Sequence, residues 1–197
     1  MIYDTKISGN TLKASELLLN GEIIIYPTDT LYGFGVDATN SEAIEKLNII
    51  KNRVKPYSII VSSIEMIKKY SLINQNKIEF ISKYLPGPYT FIINKKENTN
   101  LSHLVSCGKN TIGFRIPDSK FIIDIVEEIN RPIITTSVNI SNSSPLNNIE
   151  EIEYSFPNFN FFCYENFKVN KNSKGSTILD YTTDKLKILR MGDGEIV

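Results

Sequence analysis

The sequence predicts a mixed α/β fold, a twisted sheet of parallel and antiparallel strands flanked by helices. Two patterns carry this. Through the first two thirds of the chain, strand-length apolar runs such as GEIIIYP and RPIITTS alternate with stretches of helical periodicity. At the end, STILDYT and KLKILR follow each other closely enough to close as an antiparallel pair, so a purely parallel sheet is excluded. With 197 residues, 41% hydrophobic content, and only 10 Gly and 8 Pro, the chain has material for a single domain over 1–197 and is not a disordered or collagen-like polymer.

Taken in order, residues 11–20 (TLKASELLLN) have helical periodicity and stop at Gly21, placed as a C′ glycine. EIIIYP at 22–27 is strand-like, and TDTLYGFGVDAT after it reads as one long turn. A helix is expected over 41–50, with Thr39 and Glu42 at capping-box spacing. YSIIV at 57–61 is a buried strand and SSIEMIKKY begins another helix. NKIEFISKYL at 76–85 is amphipathic and ends at LPGP, where proline forbids continuation. PYTFIIN, TIGFRIP and RPIITTS are strands, and DSKFIIDIVEEIN between the last two is a helix.

Composition removes several classes of function. Lys plus Arg and Asp plus Glu are 22 each, so no net field draws the chain to nucleic acid or anionic lipid. No apolar run approaches the roughly 20 residues that span a bilayer, so no membrane contact is expected. MIYDTKISGN has no basic segment leading into an apolar one, which points to a cytoplasmic protein. Cys107 and Cys163 cannot supply a zinc site alone.

Several motifs fail on context. GFGVDA at 33–38 formally matches a dinucleotide fingerprint, but Thr28 to Tyr32 separate it from the preceding strand, and position 53 is Arg where an acid is needed. GKNT at 108–111 lacks the upstream glycine of a phosphate-binding Walker loop. His103 is the only histidine, so a catalytic triad would rest on it alone, and a solvated or capping role suits it better. Ser106 and Lys109 have Ser-x-x-Lys spacing without supporting elements, so a loop is the plainer reading.

What remains is a set of polar residues at strand ends. YPTDTLYG puts two Thr and an Asp after a buried strand, and KNRVKP puts Lys51, Arg53 and Lys55 where a helix ends. Helix-terminal cations often only offset the macrodipole. Arg115, however, lies inside an apolar strand, where an unpaired guanidinium would be costly. Ser137, Asn139, Ser176 and Arg190 sit at the ends of further strands. The chain has only four arginines, and three of them fall in these segments. Hydroxyls, amides and guanidiniums converging from separated strand ends are what a phosphate- and carboxylate-binding cleft requires.

In order, YPTDTLYGFG, KNR followed by IIV, LPGPYTF, GFRIP, TSVNIS, GSTILD and R-x-G resemble the YrdC/Sua5 family of threonylcarbamoyl-AMP synthases, over about residues 10–194. The resemblance implies a concave, positively lined cavity in a YrdC-like sheet. It also implies a reaction in which L-threonine, bicarbonate and ATP with Mg²⁺ give L-threonylcarbamoyladenylate and pyrophosphate. That product serves N6-threonylcarbamoylation of adenosine 37 in ANN-decoding tRNA, through a separate transferase complex. Carried over by position, Thr30, Ser62, Arg115, Ser137 and Ser176 would hold threonine. Lys51, Arg53, Tyr57, Thr111, Asn139, Asn147 and Arg190 would surround ATP, with Lys51, Arg53 and Arg190 stabilising charge in the reaction. Val54 stands where many members have Pro, Ser62 where many have His, and Asn142 where many have Gly. The short form without an added C-terminal domain fits best. Two other functions on this fold are carbamoyladenylate chemistry and non-enzymatic RNA binding, with weak tRNA contact compatible with the main reading. KVNKNSKGS at 168–176 is polar and is expected to act as a lid over the nucleotide.

Overall fold

The computed structural model describes residues 1–7, 9–140, 143–163 and 172–196. The chain runs through β1 (Ile2–Asp4), α1 (Asn10–Leu19), β2 (Ile24–Tyr26), β3 (Gly33–Asp37), α2 (Ser41–Lys51), β4 (Ser58–Ile60), α3 (Ile64–Tyr70), α4 (Gln75–Ile81), β5 (Tyr89–Asn94), α5 (His103–Ser106), β6 (Thr111–Arg115), α6 (Lys120–Ile129), β7 (Ile133–Ser137), α7 (Ile149–Ser155), β8 (Asn160–Cys163), β9 (Thr177–Asp180) and β10 (Lys187–Arg190). The strands form one mixed sheet in the order β1-β8-β2-β3-β7-β4-β6-β5-β9-β10. β4 is parallel to β6 and β5 to β9, whereas β7 is antiparallel to both its neighbours, β3 and β4, and β9 and β10 form the expected antiparallel pair.

Side chains alternate across a strand, and the central strands use this to separate two jobs. Phe34, Ile59, Phe91, Phe114, Ile134 and Leu179 point to one face, where they form a core with Ile44 and Leu47 of α2 and with α3, α4 and α5. The other face is divided. Ile24, Tyr26, Ile60 and Ile133 pack under α1 and α6, which bring Ala14, Leu18, Ile122, Ile125 and Val126. Beyond the reach of those two helices, the same face carries Thr90, Gly113, Arg115, Thr135, Ser137 and Ser58. That uncovered region becomes the cavity. Gly35 is needed here because Tyr26 lies across it, and a Cβ would sit 2.7 Å from the ring.

Most expected elements form where the periodicity places them, and Gly21 does adopt a left-handed φ of +74° directly after α1. The turn expected over 28–39 differs, since Gly33–Asp37 is a fully buried strand between β2 and β7. Two glycines in five residues suggest a turn, but the alternating Phe34 and Val36 supply the core face. The cap of α2 is Asn40, whose Oδ1 accepts the Ala43 amide at 3.1 Å, while Thr39 instead donates its hydroxyl to Asp37. β1, α5 and β8 carry too few residues to show a period, and α7, as long as α3 and α4, buries only Ile152. β8 is the consequential one, because it inserts between β1 and β2 and pairs parallel to both.

Candidate functional site

A cavity of about 360 Å³ opens on the uncovered sheet face and continues around the ends of β3 and β7 toward the end of α2. Nine of the twelve residues singled out from the sequence line it: Thr30, Lys51, Arg53, Tyr57, Arg115, Ser137, Asn139, Ser176 and Arg190.

At one end sits Lys51, the last residue of α2, which Asn52 terminates in the left-handed conformation. The side chain is buried, and Nζ donates to the Ser137 carbonyl at 2.7 Å and to Asn139 Oδ1 at 2.5 Å. Burial, and secondarily the nearby Arg53, lower its pKa to about 8. Arg53 follows the helix end, donates to the Thr136 hydroxyl at 3.2 Å, and stacks over Tyr57 at 5.3 Å. Its Nε is buried without a hydrogen-bond partner, so a donor is available at the cavity wall. Burial raises the pKa of Tyr57, whose hydroxyl donates to Asn48 Oδ1 at 2.9 Å.

At the other end, Arg115 terminates β6 and turns toward the loop between β2 and β3. Its Nη2 donates to Thr30 Oγ1 at 2.8 Å and to Thr28 Oγ1 at 3.4 Å, and it forms a close ion pair with Asp29. Nε of Arg115 is likewise buried without a partner. Ser176 and Thr90 share a hydroxyl–hydroxyl hydrogen bond of 2.8 Å. Arg190 of β10 grips the Ser176 carbonyl through Nη2 at 2.6 Å and Nε at 3.2 Å. Partial desolvation and the proximity of Arg115 pull its pKa down. The R-x-G spacing has a steric cause, because a Cβ on Gly192 would meet the Gly175 carbonyl oxygen at 2.1 Å.

Three sequence candidates lie elsewhere. Ser62 falls on the cavity side of β4 by alternation, but buried Ile60 stands between it and Ser58, and it borders a shallow depression with Ser63, Glu65, Met66 and Glu127. Thr111 begins β6, four residues from Arg115 and thus roughly 13 Å along the strand, paired with Asn94. Asn147 lies two residues past the lining residue Pro145 and is not itself in the lining. Of the expected lid, residues 168–171 lie outside the described residues, as does Asn142, whereas the Lys174 amide is fixed to Asp193 Oδ1 at 2.8 Å.

The lining also includes residues that the sequence did not single out as ligands: Thr28, Ser58, Thr90, Thr135, Thr136 and Lys174. Strand alternation would have found Ser58, Thr90 and Thr135, since each is the polar neighbour of a core residue. GFGVDA forms β3, so no glycine loop enters a helix there. Ser106 accepts from Lys95 Nζ at 3.0 Å, outside the cavity, and His103 is exposed.

The charge distribution is lopsided. Lys51, Arg53, Lys55, Arg115, Lys174 and Arg190 line the cavity, and among the described residues no carboxylate does. In a chain of zero net charge, this concentrates a positive field on one concave surface. Among the described residues, no group of three His, Cys, Asp or Glu could hold a metal ion, and no helix is long and apolar enough to cross a membrane.

Comparison with known proteins places this geometry in context. The Sua5/YciO/YrdC family model, described as "Telomere recombination", matches residues 16–192. A protein of Methanocaldococcus jannaschii, provisionally named threonylcarbamoyl-AMP synthase, is 38% identical over 179 residues, covering 89% of this chain and 82% of that protein. A Vibrio campbellii protein named threonylcarbamoyl-AMP synthase is 33% identical over 141 residues, covering 69% of this chain and 75% of its own length. The crystal structure of P. abyssi Sua5 complexed with L-threonine superposes with a TM-score of 0.87 at 23% identity. It covers 98% of this chain, which spans 57% of that longer one. That likeness establishes the shared mixed α/β fold.

Proposed function

The chain belongs to the Sua5/YciO/YrdC family, and from that premise we propose that it is a threonylcarbamoyl-AMP synthase acting in the cytoplasm, with residues 1–197 as one YrdC-like domain. The observation that carries the reading is the cavity of about 360 Å³ lined by six cations and no carboxylate. Such a surface suits a polyphosphate together with a carboxylate, which are the anionic parts of ATP and threonine.

In the proposed reaction, the threonine amine combines with bicarbonate to give a carbamate, releasing water. A carbamate oxygen then attacks the α-phosphorus of ATP, the bond to the bridging oxygen breaks, and pyrophosphate leaves. No protein nucleophile is required. Lys51, Arg53 and Arg190 hold the phosphates and stabilise the charge that moves onto the leaving pyrophosphate. Arg115, with Thr30 and Ser176, takes the threonine carboxylate and hydroxyl. The described residues offer no carboxylate cluster for a metal, so Mg²⁺ would enter on the nucleotide's phosphates. The adenylate would pass to a separate transferase acting on tRNA.

The test is pyrophosphate release from ATP with bicarbonate and Mg²⁺, comparing L-threonine, L-serine and no amino acid. Threonine-dependent release that Lys51→Ala lowers by about 10²–10³-fold supports the reading. Release that needs no amino acid would move the function to carbamoyladenylate chemistry. Folded protein that releases none would remove the synthase and leave binding.

A further inference from the structure

Of the six cations that line the cavity, only Arg115 forms an ion pair within 4 Å among the described residues, although the Asp193 carboxylate also acts on Arg190. The partner, Asp29, does not itself line the cavity. Both side chains are nearly buried, at 7% exposure for Arg115 and 11% for Asp29. Water therefore screens this pair little, and the ion pair cancels most of the charge that Arg115 would project. Lys51, Arg53, Lys55, Lys174 and Arg190 form no such ion pair. The amino-acid end thus holds one neutralised guanidinium, that of Arg115, with Arg190 beside it.

We propose that Asp29 is a specificity-determining residue that keeps phosphate off Arg115 and leaves it to the neighbouring Arg190, by neutralising Arg115 without using up its capacity to donate. The inference rests on the synthase reading, because it assumes that Arg115 receives the threonine carboxylate. The difficulty it addresses is chemical. One cavity must hold a polyphosphate and a monocarboxylate at the same time, and a bare guanidinium prefers the more highly charged anion. Asp29, Thr28 and Thr30 all engage Nη2, while Nε of Arg115 remains buried without a partner. A zwitterionic amino acid tolerates a neutral site that offers donors. A phosphate at Arg115 meets the Asp29 carboxylate at close range and is drawn instead to Arg190 beside it. Specificity can come from repelling the wrong ligand as well as from attracting the right one.

Asp29 also has a purely structural contact, since Oδ2 accepts the Asp118 amide at 3.2 Å and so ties two loops together. Asp29→Asn separates the two roles: the amide oxygen can still accept that hydrogen bond, but the charge is gone. The experiment is calorimetric titration of the full chain with L-threonine at increasing pyrophosphate. Wild-type affinity for threonine is expected to change less than about threefold, whereas in Asp29→Asn it should fall on the order of tenfold or more, competitively. Asp29→Glu should behave as wild type. Competition by pyrophosphate in the wild type would overturn the proposal, and this needs no variant to fold. A folded Asp29→Asn that remains insensitive would overturn it as well. If the wild type binds no threonine, the synthase reading fails separately, and pyrophosphate stoichiometry then decides Asp29. A second site appearing in Asp29→Asn supports the role, and an unchanged single site refutes it.

Discussion

The two faces of the central strands differ by one residue in the chain and by almost everything in chemistry. Phe114 and Arg115 are consecutive in β6, as are Ile134 and Thr135 in β7 and Ser58 and Ile59 in β4. One member of each pair is sealed into the core and the other looks into the cavity. The cavity exists because α1 and α6 cover only part of their face. The comparison teaches that stability and chemistry here are separable to an unusual degree, since the period of two assigns them to different side chains.

Deleting a core member should break stability first. Phe114→Ala, fully buried in a central strand, is expected to cost about 3–5 kcal/mol, read as a lower midpoint in denaturant unfolding. Filling the other face should cost less in stability and more in function. Gly113→Ala puts a Cβ 2.5 Å from Ser58 Oγ and 3.1 Å from Thr90, so a loss of about 1–3 kcal/mol is expected, together with a raised KM for both substrates.

The cavity's charged end can be titrated without mutation. With its pKa lowered to about 8, Lys51 is charged below that value and neutral above it. Nucleotide affinity should therefore weaken as pH rises through 8, by up to about tenfold for one lost charge-assisted contact. Lys51→Arg should bind with no such step, and a flat wild-type profile would show that Lys51 does not reach the phosphates. The smallest expected effects belong to the candidates that lie outside the cavity. Ser62→Ala and Thr111→Val should each change threonine-dependent turnover by less than about twofold, and a larger loss would extend the site beyond its present lining.

Much of the fold was legible because its signals are local. Helical stripes such as Phe121, Ile122, Ile125 and Val126 and alternating strands such as TIGFR are readable within ten residues. β3 was hidden because Gly33 and Gly35 imitate a turn, and only Tyr26, packed across Gly35 from the neighbouring strand, explains them. The site was legible in its charged residues, since an arginine inside an apolar strand needs a partner, but Arg115's actual partner could not be named.

By itself, then, the sequence determined the alternation that sorts core from cavity, the ordered blocks that mark the family, and the identity of the scarce arginines. These are properties of neighbouring residues. The tertiary structure decided which strand ends meet, and so brought Lys51 to Asn139, Arg190 to Ser176 and Arg115 to Asp29, across 88, 14 and 86 positions. It also left Ser62 outside, behind Ile60. Pairings at such separations depend on how the whole sheet is ordered, and no local pattern encodes that order.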